Sequence, residues 1–344
     1  MASRPPGKIE QEQSDQIIEV RGLTKKYGQT TAVDGISFGV KQGEIFCLLG
    51  PNGAGKTTTI RMLTTLASIT SGEAMVAGFD VSKNPASVRS SIGLVPQELT
   101  ADDELTGREN LLFAARLYHL PDDQSRVRIG EMLSLIDLEG AAERKVKTYS
   151  GGMRRRLQLA MGLIHSPRIL FLDEPTIGLD IQTRKKVHEY IRGLNREQGL
   201  TVFMTTHYLE EADELSQRIG IIDEGRIKAL NSPSALKSEM GTQILVLQVS
   251  AAGEDLTEFL KSVPDVTEVT KRGPGLYEVG LSKVEDAIPV IVDGTVRREL
   301  RILDLSVVKP SLEQVFLQLT GHSLRDSEAL SNVYGQKLQI ERMK

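Results

Sequence analysis

The sequence predicts an α/β protein with a core of largely parallel strands, followed by a smaller α+β unit. Two apolar runs, EIFCLLG and RILFLD, have the composition of strands buried on both faces of a parallel sheet. A helical pattern follows each run, TTTIRMLTTLA after the first and TRKKVHEYIRGLNREQG after the second. Beyond Ala229 the order changes to strand, helix, hairpin, helix and strand, which indicates a separate unit.

The composition is that of a globular chain with room for two or three domains, since 40% of its 344 residues are hydrophobic and 26% are charged. A formal net charge of −4 argues against a chain built to neutralise nucleic-acid phosphates, so no nucleic-acid partner is expected. The single cysteine, Cys47, excludes an internal disulfide and a cysteine zinc site, which fits a reducing cytosol. No apolar run approaches the roughly 18 to 20 residues of a membrane span, and residues 1–16 lack the apolar stretch of a signal peptide.

Two alternating segments, IIEVRGLTKKYG and TTAVDGISFGV, open the structured part of the chain on either side of a turn at Gly28. They predict an antiparallel edge layer beside the core sheet. Residues 99–149 contain two amphipathic helical patterns, LTGRENLLFAARLYHL and SRVRIGEMLSLIDLEGAAERKV, with no convincing strand between them. They predict an inserted helical subdomain, after which strands and helices alternate to Ala229.

The C-terminal segments predict the order β-α-β-β-α-β of a ferredoxin-like domain. Residues 245–308 carry no cluster of histidine, cysteine or carboxylate side chains, so regulation, dimer support and packing all stay open as its role, with dimer support favoured. The predicted divisions are a disordered start at 1–16, a core domain at 17–235 with its helical subdomain at about 99–149, the small α+β domain at 236–322, and a polar tail at 323–344.

A glycine-rich loop joins the first apolar run to its helix and reads GPNGAGKT, which matches G-x-x-x-x-G-K-[ST] in the strand-to-helix context that the motif requires. Such glycines let main-chain N–H groups approach phosphate oxygens, Lys56 would meet the β- and γ-phosphates, and Thr57 would ligate Mg²⁺. The alternative is a turn of purely structural use. The residues expected to bind nucleotide here are Gly50, Pro51, Asn52, Gly53, Ala54, Gly55, Lys56, Thr57 and Thr58.

Two further motifs carry groups suited to phosphate chemistry. The strand ILFLDE ends in Asp173, which can hold the magnesium shell, and Glu174, which can orient or deprotonate an attacking water. The string YSGGM places Ser150, Gly151 and Gly152 at the start of a helix, where a hydroxyl and main-chain N–H groups form a natural anion site. Taken alone, the first could be a polar strand end and the second a simple N-cap.

The phosphate loop, the S-G-G string and LDEP, in this order, resemble the nucleotide-binding subunit of an ABC transporter, from Ile17 to about Leu230. The resemblance implies a P-loop NTPase (RecA-like) core that binds and hydrolyses ATP with Mg²⁺. The wider strings YSGGMRRRL, TTHYLEEAD and SLEQVFLQLTG are similar to the drug-resistance subfamily typified by the daunorubicin exporter subunit. That subfamily powers export through a separate ABC-2 type integral membrane permease.

The resemblance implies roles for single residues as well. Tyr27 resembles the aromatic residue that stacks on adenine, Gln97 the glutamine that reaches the metal and the water, and His207 the switch histidine at the γ-phosphate. Their alternatives are a surface strand residue for Tyr27 and a core histidine for His207. The expected catalytic residues are Glu174, His207 and Gln97, and the expected metal ligands are Thr57, Gln97 and Asp173.

The same resemblance implies a homodimer with two ATP molecules between the subunits. Ser150, Gly151 and Gly152 would complete the site of the opposite subunit, and Asp180 would lie in the D-loop across the interface. Met153 stands where the S-G-G motif usually has glutamine, and Gly178 stands where the D-loop usually has a small residue such as alanine. Neither change removes a catalytic group.

The expected protein is therefore an ATPase subunit at the cytoplasmic face of the membrane that drives drug or antibiotic efflux. The alternatives are a soluble ABC ATPase that acts on ribosomes or DNA and a P-loop kinase with a small acceptor. The run Arg154 to Arg156 is expected to be a solvated helix face rather than a phosphate or nucleic-acid patch.

Overall fold

The computed structural model describes residues 15–239, 243–250, 255–308 and 311–321. The described chain forms two compact units, one up to Leu230 and one from Asn231. Apart from residues 15 and 16, the predicted disordered start at 1–16 lies outside the described residues, and so does the predicted tail at 323–344. Within the described residues, no helix combines the length and apolar composition that a membrane span requires.

The first unit contains an edge layer, a core sheet and helices. Its strands are β1 (Gln16–Tyr27), β2 (Thr30–Lys41), β3 (Ile45–Leu49), β4 (Ser71–Val76), β5 (Phe79–Asp80), β6 (Ile92–Val95), β7 (Ile169–Asp173), β8 (Thr201–Thr206), β9 (Arg218–Asp223) and β10 (Arg226–Asn231). Its helices are α1 (Lys56–Leu63), α2 (Pro85–Ser91), α3 (Gly107–Leu117), α4 (Asp122–Leu135), α5 (Gly151–Leu163), α6 (Ile181–Gln198) and α7 (Leu209–Leu215).

The core sheet has the order β10-β9-β3-β8-β7-β6, and β9, β3, β8, β7 and β6 run parallel. All residues of β3, β7 and β8 are buried, as the continuous apolar runs predict. Because parallel strands end at the same sheet edge, the residues after β3, β7 and β8 lie near one another. The α/β core is therefore confirmed, and its carboxyl edge positions the site.

The antiparallel edge layer is also confirmed, as a four-stranded sheet of order β2-β1-β4-β5. An aromatic stack joins it to the core sheet, since the ring centroids of Phe38 and Phe46 are 5.3 Å apart and those of Phe46 and Phe203 are 5.4 Å apart. Strand β4 was not predicted, because its residues SGEAMV lack a long apolar run.

The helical subdomain contains α3 and α4, with α3 fixed at its N-terminus by a capping box between Thr106 and Glu109. The second predicted helix, residues 125–146, is wrong beyond Leu135. Asp137 takes a left-handed conformation at φ 52°, and the Leu138 N–H donates to the Leu133 carbonyl over 3.0 Å. The chain then continues through two short 3₁₀ turns, Glu139–Ala141 and Val146–Thr148.

The elements of the second unit are α8 (Pro233–Glu239), β11 (Gln243–Val249), α9 (Thr257–Ser262), β12 (Val266–Gly273), β13 (Leu276–Leu281), α10 (Val284–Val296), β14 (Ile302–Val308) and α11 (Leu312–Thr320). Its four strands form an antiparallel sheet in the order β12-β13-β11-β14. Leu260 of α9 and Ile291 of α10 join the buried side chains of the sheet in one core. This arrangement confirms the ferredoxin-like pattern.

Candidate functional site

The loop between β3 and α1 wraps around the first turn of α1. Gly53 and Gly55 have φ angles of 84° and 104°, which residues other than glycine rarely adopt. A Cβ on Gly55 would lie 2.6 Å from the Ala32 carbonyl oxygen, so the close chain approach also requires glycine. No side chain caps the N-terminus of α1 among the described residues, which leaves its first-turn N–H groups available to an anion.

Lys56 is buried at the base of this loop, with 5% of its side chain exposed. Its ammonium donates to the Gly50 carbonyl over 2.7 Å and to the Pro51 carbonyl over 3.0 Å. It also forms an ion pair with Glu174 at 3.1 Å. The loop and the end of β7 are thus joined through one positive charge.

Glu174 follows β7 directly and is also buried, with a left-handed backbone at φ 51°. Its N–H donates to the carbonyl of Thr205, and its carboxylate is bonded to Lys56 on one oxygen and to Nδ1 of His207 on the other. Burial alone would raise the pKa of this carboxyl, but the hydrogen bond from His207 and the charge of Lys56 outweigh burial and lower it. Glu174 is therefore ionised at neutral pH, which is the form that can accept a proton.

Asp173 ends β7 beside Glu174 and is 4% exposed. Its Oδ1 accepts a hydrogen bond from the Thr57 hydroxyl over 3.2 Å and from the Thr205 hydroxyl over 2.6 Å. Hydroxyl and carboxylate oxygens are the hard ligands that Mg²⁺ prefers, so this pair fits a magnesium ion. The described residues contain no cluster of three or more His, Cys, Asp or Glu side chains that could hold a metal, so such an ion would also need nucleotide or water oxygens.

His207 follows β8 and is mostly buried. Its ring contacts that of Tyr208 at a centroid distance of 4.1 Å, and the Arg184 guanidinium lies 4.4 Å from the Tyr208 ring centroid. The structure thus brings five predicted residues together where three strands end: Lys56, Thr57, Asp173, Glu174 and His207.

Other predicted residues are not part of this cluster. Tyr27 is half exposed at the end of β1, with the Lys25 ammonium 4.9 Å from its ring centroid. Gln97 is exposed, and in the described part of the chain its side chain has no hydrogen-bond partner. Ser150 caps its own helix by accepting from the Met153 N–H over 3.3 Å.

The remaining predicted residues lie in the phosphate loop and in the two motifs that are expected at the dimer interface. In the loop, Pro51 and Ala54 are buried, Asn52 and Gly53 are exposed, and Thr58 is intermediate. Gly151 is exposed, and a Cβ on Gly152 would lie 2.4 Å from Cγ2 of Thr183. Asp180 caps α6 by accepting from the N–H groups of Gln182 and Thr183.

Two residues that the sequence analysis missed contact this cluster. The Thr205 hydroxyl donates to Asp173 and accepts from the main-chain N–H of Glu174. Its place next to the end of β8, the strand that pairs with β7, is the signal that could have identified it. Arg155 is 3% exposed, so the expectation of a solvated arginine face is wrong at this position. Its guanidinium donates to main-chain carbonyls instead of facing solvent, and its helical neighbours give no sign of this.

Comparisons with known proteins agree with this architecture. Residues 33–177 match the ABC transporter family, and residues 232–320 match the family described as ATP-binding protein DrrA1-3-like, C-terminal domain. The chain is 38% identical to the linearmycin resistance ATP-binding protein LnrL of Bacillus subtilis, over 90% of this chain and 100% of that protein. It is 42% identical to the daunorubicin resistance ATP-binding protein DrrA2 of Streptomyces coeruleorubidus, over 91% of this chain and 97% of that protein.

A solved structure agrees with the family match. A dimeric post-hydrolysis state of an ATP-binding cassette bound to ADP and Pi superposes with a TM-score of 0.58 and 27% identity, over 62% of this chain and 98% of that one. These matches confirm the resemblance and the expected ATPase class. The chain belongs to the ABC transporter ATP-binding proteins that carry a DrrA-like C-terminal domain.

Proposed function

We propose that this chain is the ATP-hydrolysing subunit of an exporter and that hydrolysis takes place at the cluster around Glu174. The observation that carries the proposal is the buried carboxylate of Glu174. It is held between the His207 ring and the ammonium of Lys56, the residue that ends the phosphate loop and begins α1. Nucleotide phosphates would bind the N–H groups of residues 53–58 and the Lys56 ammonium.

In this proposal Glu174 orients the attacking water and accepts its proton. The lowered pKa keeps the carboxylate ionised, and His207 holds one of its oxygens so that the other faces Lys56. The His207 side chain then lies at the γ-phosphate, where it would sense whether that phosphate is present.

Thr57 and Asp173 would hold the magnesium ion, with Gln97 as a further ligand contributed by an exposed loop. Magnesium supplies positive charge against the phosphate oxygens. Thr205 positions Asp173 for this task through its short hydroxyl bond.

The proposal includes a second copy of the chain. Ser150 and Gly151 are exposed at the N-terminus of α5, where main-chain N–H groups and the helix dipole favour an anion. They would close over the nucleotide held by the opposite subunit, so that ATP joins two identical surfaces. If the Glu174→Gln variant, which would trap ATP, remains a monomer with Mg-ATP on size-exclusion chromatography, this arrangement is wrong for the isolated subunit.

The membrane partner is proposed to be an ABC-2 type integral membrane permease, with this chain bound peripherally at its cytoplasmic face. Relatives named for linearmycin and daunorubicin resistance support antibiotics as the class of molecule that is exported. The test is an affinity isolation of the Glu174→Gln variant with Mg-ATP from gently solubilised native membranes, analysed by mass spectrometry, with the Lys56→Ala variant as the control.

Specific recovery of a protein with about six apolar spans of roughly 20 residues supports the exporter. Recovery of ribosomal proteins or nucleic acid without such a protein contradicts it and favours a soluble ABC ATPase. A separate product assay distinguishes free phosphate from a phosphorylated acceptor and so tests the kinase alternative.

A further inference from the structure

Arg155 lies in the second turn of α5 and donates to the main chain that carries Glu174. Its guanidinium bonds the carbonyls of Asp173 at 3.2 Å, Glu174 at 3.0 Å and Pro175 at 2.6 Å. Three consecutive carbonyls at the end of β7 are therefore held by one side chain. None of these bonds touches the carboxylates, so Arg155 fixes the position of Glu174 without neutralising it.

The same guanidinium also reaches the segment after β6. It donates to the Pro96 carbonyl over 2.8 Å, and its contact with the Gln97 carbonyl is 3.4 Å. Gln158, one turn further along α5, accepts from Arg155 over 2.8 Å and donates to the Glu98 carbonyl over 2.6 Å. The pair therefore binds the chain on both sides of Gln97 as well as the chain on both sides of Glu174.

Arg155 is buried, yet within the described residues its hydrogen-bond partners are main-chain carbonyls and the side-chain amide of Gln158 rather than a carboxylate. Burial lowers its pKa to about 10, which still leaves the guanidinium charged at neutral pH. A planar group with five N–H donors can bond several carbonyls at once, which a lysine ammonium cannot reproduce. This explains why an arginine in particular occupies the position.

We propose that Arg155 is a positioning residue that couples the N-terminus of α5 to the placement of Glu174 and Gln97 in the same chain. Ser150 precedes Arg155 on one helix, about 7.5 Å away at 1.5 Å per residue. In the proposed dimer, Ser150 faces the nucleotide of the opposite subunit, so a shift of α5 on that contact moves the carbonyls that Arg155 holds. Contact of Ser150 with the nucleotide at one site thus adjusts the position of Glu174 at the other site. This inference rests on the proposed role of Glu174 in hydrolysis.

The test compares Arg155→Met, Arg155→Lys and Gln158→Ala with Arg128→Met as the matched control. Arg128 also donates to main-chain carbonyls of α5, at Leu163 and Ile164, but at the end of the helix away from the cluster. Each variant is assayed for ATP affinity by equilibrium titration and for kcat per nucleotide-binding site, so that misfolded protein does not count.

Arg155→Met is expected to lower kcat about tenfold or more, because small displacements of catalytic groups are costly, while ATP affinity stays within about threefold. Arg155→Lys restores part of kcat, and Gln158→Ala loses less than Arg155→Met because it releases only the segment after β6. Arg128→Met lowers the melting temperature but keeps kcat per site. If Arg155→Met does not fold, Arg155→Lys and Gln158→Ala must still show a lower kcat at unchanged affinity.

Unchanged kcat per site in the Arg155 and Gln158 variants, or an equal loss in Arg128→Met, would overturn the inference. Glu174→Gln, measured alongside, separates this failure from failure of the proposed function. If Glu174→Gln loses hydrolysis while the Arg155 variants keep it, only the coupling is wrong. If Glu174→Gln hydrolyses ATP like the wild type, the proposed function itself fails.

Discussion

Replacing Lys56 with methionine should destabilise the protein through Glu174 as well as through the phosphate loop. Both side chains are 5% exposed, and their charges are 3.1 Å apart. Methionine has a similar length but no charge. Among the described residues, the Glu174 carboxylate would then keep only His207 as an ionic or hydrogen-bonding partner. A buried carboxylate without compensation is costly, because its hydration is not replaced.

The size of the effect follows from the partners that are lost. Removing one member of a buried ion pair costs about 3 kcal/mol at the low end of the usual range, which applies here because His207 remains. In a Glu174→Gln background the same change removes a hydrogen bond from the ammonium to the amide oxygen, but it also removes a buried charge that has no counter-charge. These two effects oppose each other, so the net cost is about 1 kcal/mol. The bonds from Lys56 to the carbonyls of Gly50 and Pro51 are lost in both backgrounds and cancel. The expected coupling energy is therefore about 2 kcal/mol.

A double-mutant cycle measures this coupling energy. The free energy of unfolding is determined in urea, without nucleotide, for the wild type, both single variants and the double variant. The chain contains no tryptophan, so far-ultraviolet circular dichroism is the appropriate signal. Since both residues lie in the first unit, the transition of the second unit should stay fixed and serves as an internal control. Additive effects, with coupling below about 0.5 kcal/mol, would refute the buried ion pair.

Three further predictions follow from the same cluster. Thr205→Val should cost about 1 to 3 kcal/mol in urea unfolding and slow hydrolysis, because Asp173 loses the 2.6 Å hydroxyl bond; an unchanged kcat would contradict the role of Thr205. Gly50→Ala should weaken ATP binding in an equilibrium titration, since its Cβ would lie 2.2 Å from the Ile222 carbonyl oxygen and must displace the loop; wild-type affinity would contradict this. Because the pKa of Glu174 is lowered in the folded state, its ionised carboxylate stabilises that state above pH 4.5, the ordinary pKa of a glutamate carboxyl, and this stabilisation is lost as the pH falls through the folded-state pKa. The difference in unfolding free energy between wild type and Glu174→Gln should therefore shrink in acid. A difference that stays constant from pH 7 to pH 3 would oppose this prediction.

The sequence predicted those parts of the site whose residues lie close together in the chain. The phosphate loop and the acidic end of β7 each need only a short string with fixed spacing, and their meeting follows from strands that end at one edge of a parallel sheet. The fold of both units and the ATPase family were predicted for the same reason and are confirmed.

The residues that were missed depend on distant contacts. Arg155 binds carbonyls 18 to 59 positions away, and no local pattern distinguishes it from its neighbours Arg154 and Arg156. The end of α4 at Leu135 was missed because the apolar spacing continues past a residue that adopts a left-handed backbone. Such features depend on tertiary packing, which overrides helix propensity and periodicity.

The most direct test of the central claim is the release of phosphate from Mg-ATP by wild type and Glu174→Gln, with ATP affinity measured on the same preparations. Glutamine keeps the shape of the side chain but cannot accept the proton of the attacking water. The expected result is a loss of at least about a hundredfold in the rate of phosphate release with ATP affinity retained. A rate within about twofold of wild type would show that Glu174 does not activate the water and would contradict the assignment of the site.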